Sequence, residues 1–199
     1  PIKLRAELIA LAKAEGRTPG EGTCGSCPVD SHFNVKGVGT VVLGSVINGW
    51  FRKHDKMRVM PINREVILKS IQKHDLDADD AVKGDHVGLA LRGIESDELD
   101  RGFVVTTDPS VKMSRRVENN VSLVKYWPSP LKEGMVVHIG HWMQMVPSRI
   151  ASVDDGSDFR SAHVVFELES DIIHKPGDKA TIMYLEGGKL RVAGSVVLE

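Results

Sequence analysis

The sequence of 199 residues is 41% apolar, 27% charged and only 5% aromatic, which suits a folded protein and excludes a disordered or fibrous one. A formal net charge of −1 excludes a global attraction to nucleic acid, so any RNA contact has to come from a local patch. No run approaches the roughly 20 apolar residues of a membrane-spanning helix, the N-terminus lacks a basic flank before an apolar signal core, and two cysteines are too few for a disulfide framework. A cytoplasmic protein with no membrane partner is expected, and its length fits one large or two small domains.

Residues Ile2 to Ala14 place Ile2, Leu4, Leu8, Ile9 and Leu11 toward one side at three- and four-residue spacings, with Lys3, Arg5, Glu7 and Lys13 on the other. That pattern predicts an amphipathic helix that buries its stripe, ended by Glu15 and Gly16. Gly16 to Pro28, with four glycines and two prolines, reads as a linker. Within it, Cys24 and Cys27 form a CxxC. Two thiolates at that spacing reach one metal or form a redox pair, but a tetrahedral site needs four ligands, no second CxxC exists, and His32 cannot complete the set alone. Free thiols and no metal are expected, with a metal-linked or redox role as the alternative.

From Val29 to Thr107 the spacing predicts six strands: Val29 to Val35, Thr40 to Trp50, Lys56 to Pro61, Glu65 to Lys73, His86 to Leu91 and Gly102 to Thr106. Gly37 and Gly39 flank only Val38, a tight turn that folds the second strand beside the first, and Gly44 marks a bend inside a long curved strand. Ser96 to Leu99 fits one helical turn. Residues 108–116 read as an interdomain connector. A second series follows: Val117 to Tyr126, Met135 to Gly140, Met145 to Ser152, Ala162 to Leu168, Lys179 to Tyr184 and Lys189 to Leu198, the last two joined through Gly187 and Gly188 in a type I′ turn. The fold expected is all-β: two tandem six-stranded barrels after one short helix. Residues 1–28 are helix and linker, 29–107 the first barrel, 108–116 the connector and 117–199 the second barrel.

Three blocks in order carry a resemblance: FNVKGVGTVVLG from Phe33 to Gly44, KGDHVGLALRG from Lys83 to Gly93, and RGFVV from Arg101 to Val105. Together they look like the second domain of the EF-Tu class of translational GTPases. The SIQKHD block from Ser70 to Asp75 and the pattern at Asp30 and Phe33 resemble the SelB-like factors of archaea, including the SelB-like factor of methanogens proposed to be linked to pyrrolysine. KPGD from Lys175 and LEGGKLRVAGSVV from Leu185 are similar to the end of the family's third domain, so the resemblance runs from about Val29 to the C-terminus.

A GTPase cradles phosphates with a GxxxxGK[ST] loop, and none occurs here. The chain is therefore expected to be no enzyme and to hold no cofactor. The resemblance implies GTP and Mg²⁺ only for a GTPase domain elsewhere in the parent polypeptide, of which the opening helix is the remnant. His138 and His141 in HIGHW lie on opposite faces of a strand and do not converge on a metal, and no nucleophile elbow is present.

The resemblance also implies a ligand, the aminoacyl-adenosine end of a charged tRNA, delivered to the ribosome; no DNA partner is expected. Phe33 and Val35 share a face by strand alternation, beside the Gly37 turn where backbone approaches a ligand closely. By resemblance they line the pocket with Asp30, Ser31, Val41 and Leu43. Gln72 takes the place of a glutamate beside the terminal ribose, His74 that of the pocket aromatic or histidine, and His86 that of an asparagine. Asp75 stands where EF-Tu has an arginine, a reversal of charge, and Leu43 replaces a threonine. Beside this stands the plain reading of Phe33, Val35 and Val41 as barrel core, of His74 and His86 as solvated strand ends, and of Asp75, Asp77, Asp79, Asp80 and Asp85 as a solvated acidic turn that repels phosphate. Lys112, Arg115 and Arg116, with Lys189 and Arg191, are the candidates for tRNA backbone phosphates or are simply surface charge. Trp127, Trp142 and Tyr126 read as core or interface rather than base-stacking platforms. The second functional reading is a protein-interaction module that docks a GTPase domain, a ribosomal protein or another translation-factor subunit.

Overall fold

Runs of valine, isoleucine and threonine cut by glycine and polar turns fold as strands, because β-branched side chains fit a pleated surface buried on one face. The computed structural model of the chain describes residues 2–14, 24–186, 188 and 191–199. After helix α1 (Ile2–Ala14) come β1 (Ser26–Val35), β2 (Gly39–Ser45), β3 (Trp50–Arg52), β4 (Lys56–Met60), β5 (Arg64–Lys73), β6 (Leu76–Ala78), β7 (Asp80–Val82), β8 (His86–Arg92) and β9 (Val104–Thr106). A ring closes in the order β4-β9-β1-β2-β8-β5, with β5 paired back to β4; β6 extends β5 outward, and β3 and β7 form a separate ribbon. Then β10 (Lys112–Leu123), β11 (Val136–His141), β12 (Gln144–Asp154), β13 (His163–His174), β14 (Lys179–Met183) and β15 (Val192–Val197) close a second barrel in the order β10-β13-β12-β11-β14-β15. Two closed six-stranded antiparallel barrels after a short helix are thus the observed architecture.

Five local expectations differ. The stripe of α1 is not buried: Leu4, Leu8, Ile9 and Leu11 are 61, 56, 45 and 62% exposed, because each barrel closes over its own core and no described residue covers the helix. The single strand expected from Thr40 to Trp50 ends at Ser45, where the chain leaves β8 and the Val46 and Ile47 amides turn to the carbonyls of Asp85 and Ser26. The acidic stretch after His74, read as a turn, contains β6 and β7, paired with β5 and β3 despite its low strand propensity. Lys112 to Arg116, read as connector, already form the start of β10 against the end of β13. Of the expected linker from Gly16 to Pro28, Ser26 to Pro28 already form the start of β1 against β9, while Gly16 to Thr23, and Gly187 and Lys189 of the last hairpin, lie outside the described residues.

Alternation along the strands sends Val29, Val42, Phe51, Met57, Leu68, Ile71 and Leu89 into the first core, and Val137, Ile139, Ile150, Phe166 and Ile182 into the second. Gly44 sits where β2 crosses the irregular stretch of β1 between Val29 and Ser31. A Cβ there would collide with the Pro28 carbonyl oxygen and lie 2.6 Å from Cys27 Sγ, so only glycine lets the two strands approach.

The barrels meet at a small seam. Met60 and Val104 from the first, Val111 from the connector and Ile173 from the second form a buried cluster against which Trp142 packs. Beside it, the buried Asp108 carboxylate accepts from the Ser110 amide (2.9 Å), the Ser110 hydroxyl (2.6 Å) and Lys175 Nζ (2.9 Å), while its carbonyl accepts from Arg58 of β4 (3.1 Å). Burial pushes its pKa up, but these donors outweigh burial and hold it below its ordinary 3.8.

Two outcomes are expected. Gly44→Val should lower stability by about 1–3 kcal/mol or more through overpacking, read as a shift in urea midpoint. Because the Asp108 pKa is depressed on folding, its contribution is present above the ordinary value and is lost as pH falls through the lowered one. Asp108→Asn should therefore flatten the fall in stability below about pH 4, measured by denaturation across pH.

Candidate functional site

Across the outer face of the first barrel, the register sets Ser31 opposite Leu43, Leu43 opposite Gly88, and Gly88 opposite Gln72. Directly opposed residues share a face, so these four form one row. The next row carries Phe33, Val41, Ala90 and Ser70. Gly88 leaves a dent in the first row: an added Cβ would meet Leu43 at 3.5 Å and Gln72 and Val41 at 3.9 Å, ordinary contact distances.

A cavity of about 520 Å³ opens over this dent, between the first barrel and the β11–β12 turn of the second. Its apolar lining includes Pro28, Leu43, Ile47, Val87, Trp142 and Met143; its polar lining includes Asp30, Ser45, Gln72, His74, Asp75 and His86. Greasy walls with a few convergent polar groups are the usual make-up of a small-ligand site.

Local chain geometry aims these groups. Lys73 pairs with Leu76, so His74 and Asp75 alone make the β5–β6 turn, at φ of 50° and 64°. Both are left-handed, a conformation that a two-residue type I′ turn demands and that usually goes to Asn-Gly. Here it places an imidazole and a carboxylate at the cavity, and such local strain clusters at ligand sites. His86 lies opposite Ser45, whose hydroxyl is 2.8 Å from its Nδ1. Trp142 starts the two-residue turn between His141 and Gln144 at φ 49°, with its ring centroid 4.4 Å from that of His141. His141 in turn is fixed by Asp178 at 3.0 Å; burial outweighs that carboxylate and holds its pKa below the ordinary range.

Of the residues expected at the pocket, Asp30, Leu43, Gln72, His74 and His86 line the cavity. Ser31 shares their row without forming the wall. Phe33 and Val41 lie one row away, Phe33 being 41% exposed and so not barrel core, and Val35 and Gly37 stand at the far end of the β1–β2 hairpin. A strand face spans more rows than one cavity occupies. Gly88, Trp142 and Met143 were missed; Gly88 had a signal in its GDHVG run, whereas the other two come from a distant part of the chain.

The acidic stretch is largely paired: Lys73 holds Asp85 at 2.7 Å and Asp80 at 3.5 Å, Lys53 holds Asp79 at 3.0 Å, and Asp77 accepts from Gln72. Asp85 is buried and also caps the Val82 amide, so it is structural. Arg115 donates to the Glu169 carbonyl and Arg116 pairs with Glu118, while Lys112 and Arg191 are exposed; Lys189 lies outside the described residues. Arg115 shares with Arg101 a groove of about 370 Å³ between the barrels, floored by Phe103 and Met143. Trp127 is core and Trp142 interface, whereas Tyr126 is exposed.

Burial raises the Cys27 pKa to about 12, which opposes the thiolate that a metal or redox role needs. Among the described residues no group of three or more His, Cys, Asp or Glu could hold a metal, and the sequence contains no GxxxxGK[ST] run. Among the described residues no helix is long and apolar enough to cross a membrane.

Comparison with known proteins matches residues 39–106 to elongation factor Tu domain 2. The chain is 34% identical over 168 residues to an uncharacterised protein of Methanocaldococcus jannaschii, covering 84% of this chain and 52% of that one. It is 35% identical over 176 residues to the selenocysteine-specific elongation factor of the same organism, covering 80% and 37%. The chain thus spans between about a third and a half of these relatives. The crystal structure of translation elongation factor SelB from Methanococcus maripaludis superposes with a TM-score of 0.84 at 24% identity, over 100% of this chain and 47% of that one, and shows the shared fold.

The strained turn generates a prediction. Asp75→Gly should raise stability by roughly 0.5–1 kcal/mol by removing the left-handed penalty, read as an increase in melting temperature, while removing a carboxylate from the cavity.

Proposed function

The chain contains an elongation factor Tu domain 2 and is homologous to the second and third domains of SelB-type and EF-1α elongation factors, and from this premise we propose that its two barrels hold the aminoacyl end of a charged tRNA. One observation carries the reading: a cavity with apolar walls and convergent polar groups on the outer face of that domain, completed by the second barrel. An aminoacyl-adenosine end needs a wall for a flat base, polar groups for ribose and ester, and room for a side chain. Trp142 and Leu43 supply apolar surface; Gln72, His74 and His86 supply donors and acceptors.

In this reading, recognition is by shape and charge without chemistry on the ester. The exposed bases Lys112 and Arg191, with Arg115 at the groove, neutralise backbone phosphates. The switch, with GTP and Mg²⁺, belongs to a GTPase domain in the same parent polypeptide, and the ribosome is the destination of the complex in the cytoplasm. One relative is by its name selenocysteine-specific; the amino acid taken here is set by the cavity's own residues.

A second reading has its own observation. On the second barrel, Val136 and Met145 are 44 and 50% exposed on the outer face of β11 and β12, a surface that suits docking of a protein partner such as that GTPase domain, a ribosomal protein or another factor subunit.

The test is protection of an aminoacyl ester from hydrolysis. Bound charged tRNA should lose its amino acid several-fold more slowly, with no such preference for uncharged tRNA in filter binding across salt. Gly88→Ile, whose Cβ meets only ordinary contacts, should keep the fold, fill the dent and abolish protection. Equal affinity for charged and uncharged tRNA at every salt concentration would sink the aminoacyl reading.

A further inference from the structure

The proposed function places an aminoacyl side chain in the cavity, and the inference that follows rests on it. The fixed charge there is negative. Neither a lysine nor an arginine lines the cavity. The neighbouring cations are already bound: Arg101 to Asp30 at 3.0 Å, and Lys73 to Asp85 at 2.7 Å and Asp80 at 3.5 Å. Asp75 makes no hydrogen bond or ion pair with any described residue, yet a left-handed turn holds it at the cavity.

An anionic side chain entering this space would face the exposed, uncompensated Asp75 carboxylate, while its own hydration is reduced by Leu43, Ile47, Val87 and Trp142. A neutral side chain meets only the walls, and a cationic one gains Asp75 as a partner. We infer that the cavity selects an aminoacyl side chain without negative charge and rejects an anionic one, a carboxylate or an ionised selenol, with Asp75 as the discriminating residue. Two like charges a few ångströms apart at a half-solvated site imply a discrimination of roughly five- to tenfold or more.

The experiment charges one tRNA body with lysine, leucine or glutamate and measures ester protection by the 199-residue protein. Lysyl and leucyl esters should be protected at least about fivefold better than the glutamyl ester. Asp75→Asn, which keeps a residue tolerant of the left-handed turn, should bring the glutamyl ester to within about twofold of the leucyl one. Equal protection of all three esters by the unaltered protein, stronger protection of the glutamyl ester, or an unchanged preference in Asp75→Asn would overturn the charge selection while leaving the aminoacyl site standing. No protection of any ester would overturn both.

Discussion

Asp108 sits where the chain passes from one barrel to the other, and its carboxylate gathers the passage. It accepts hydrogen bonds from the Ser110 amide and hydroxyl and from Lys175, while Arg58 of the first barrel donates to its carbonyl. The Lys175 amide donates to Asp178, which also holds His141 beside Trp142. One buried charge, fully hydrogen-bonded, thus connects the connector to the turn that completes the cavity. The apolar share of the seam is small, four buried side chains and the Trp142 ring, so the polar chain supplies the geometric precision that the apolar contact alone does not.

The architecture was largely legible in the sequence because closed barrels leave a strong trace: alternating β-branched runs, glycines at tight crossings, and a block pattern shared with a known domain. What escaped were the places where pairing overrides composition. Asp80 to Val82 form a strand in an acidic stretch because Trp50 to Arg52 offer a partner edge, and Lys112 to Arg116 pair because β13 runs long enough to meet them. The helix was legible as a helix, but not its exposure, since a stripe on one element says nothing about whether another covers it.

The cavity lining was legible in part. The family resemblance named Asp30, Leu43, Gln72, His74 and His86, which line it, and also Ser31, Phe33, Val35, Gly37 and Val41, which do not: alternation assigns a residue to a face but not to a row. Asp75 was noticed for its charge, yet its left-handed backbone was invisible without coordinates. Trp142 and Met143 could not have been found, because they reach the cavity through a contact spanning most of the chain. The acids that seemed to make one repulsive loop are instead mostly spent on Lys53 and Lys73, which separates Asp75 from its neighbours.

Because the wall contributed by Trp142 belongs to the second barrel, filling the cavity and seating the two barrels are one thermodynamic event. Any occupant that touches both walls tightens the seam by the same factor that the seam tightens the occupant's grip, a reciprocity required by linkage. A hinge that opened would remove the Trp142 and Met143 wall without disturbing either core. An occupant of the cavity would, in that sense, brace the joint between the two barrels inside a single chain.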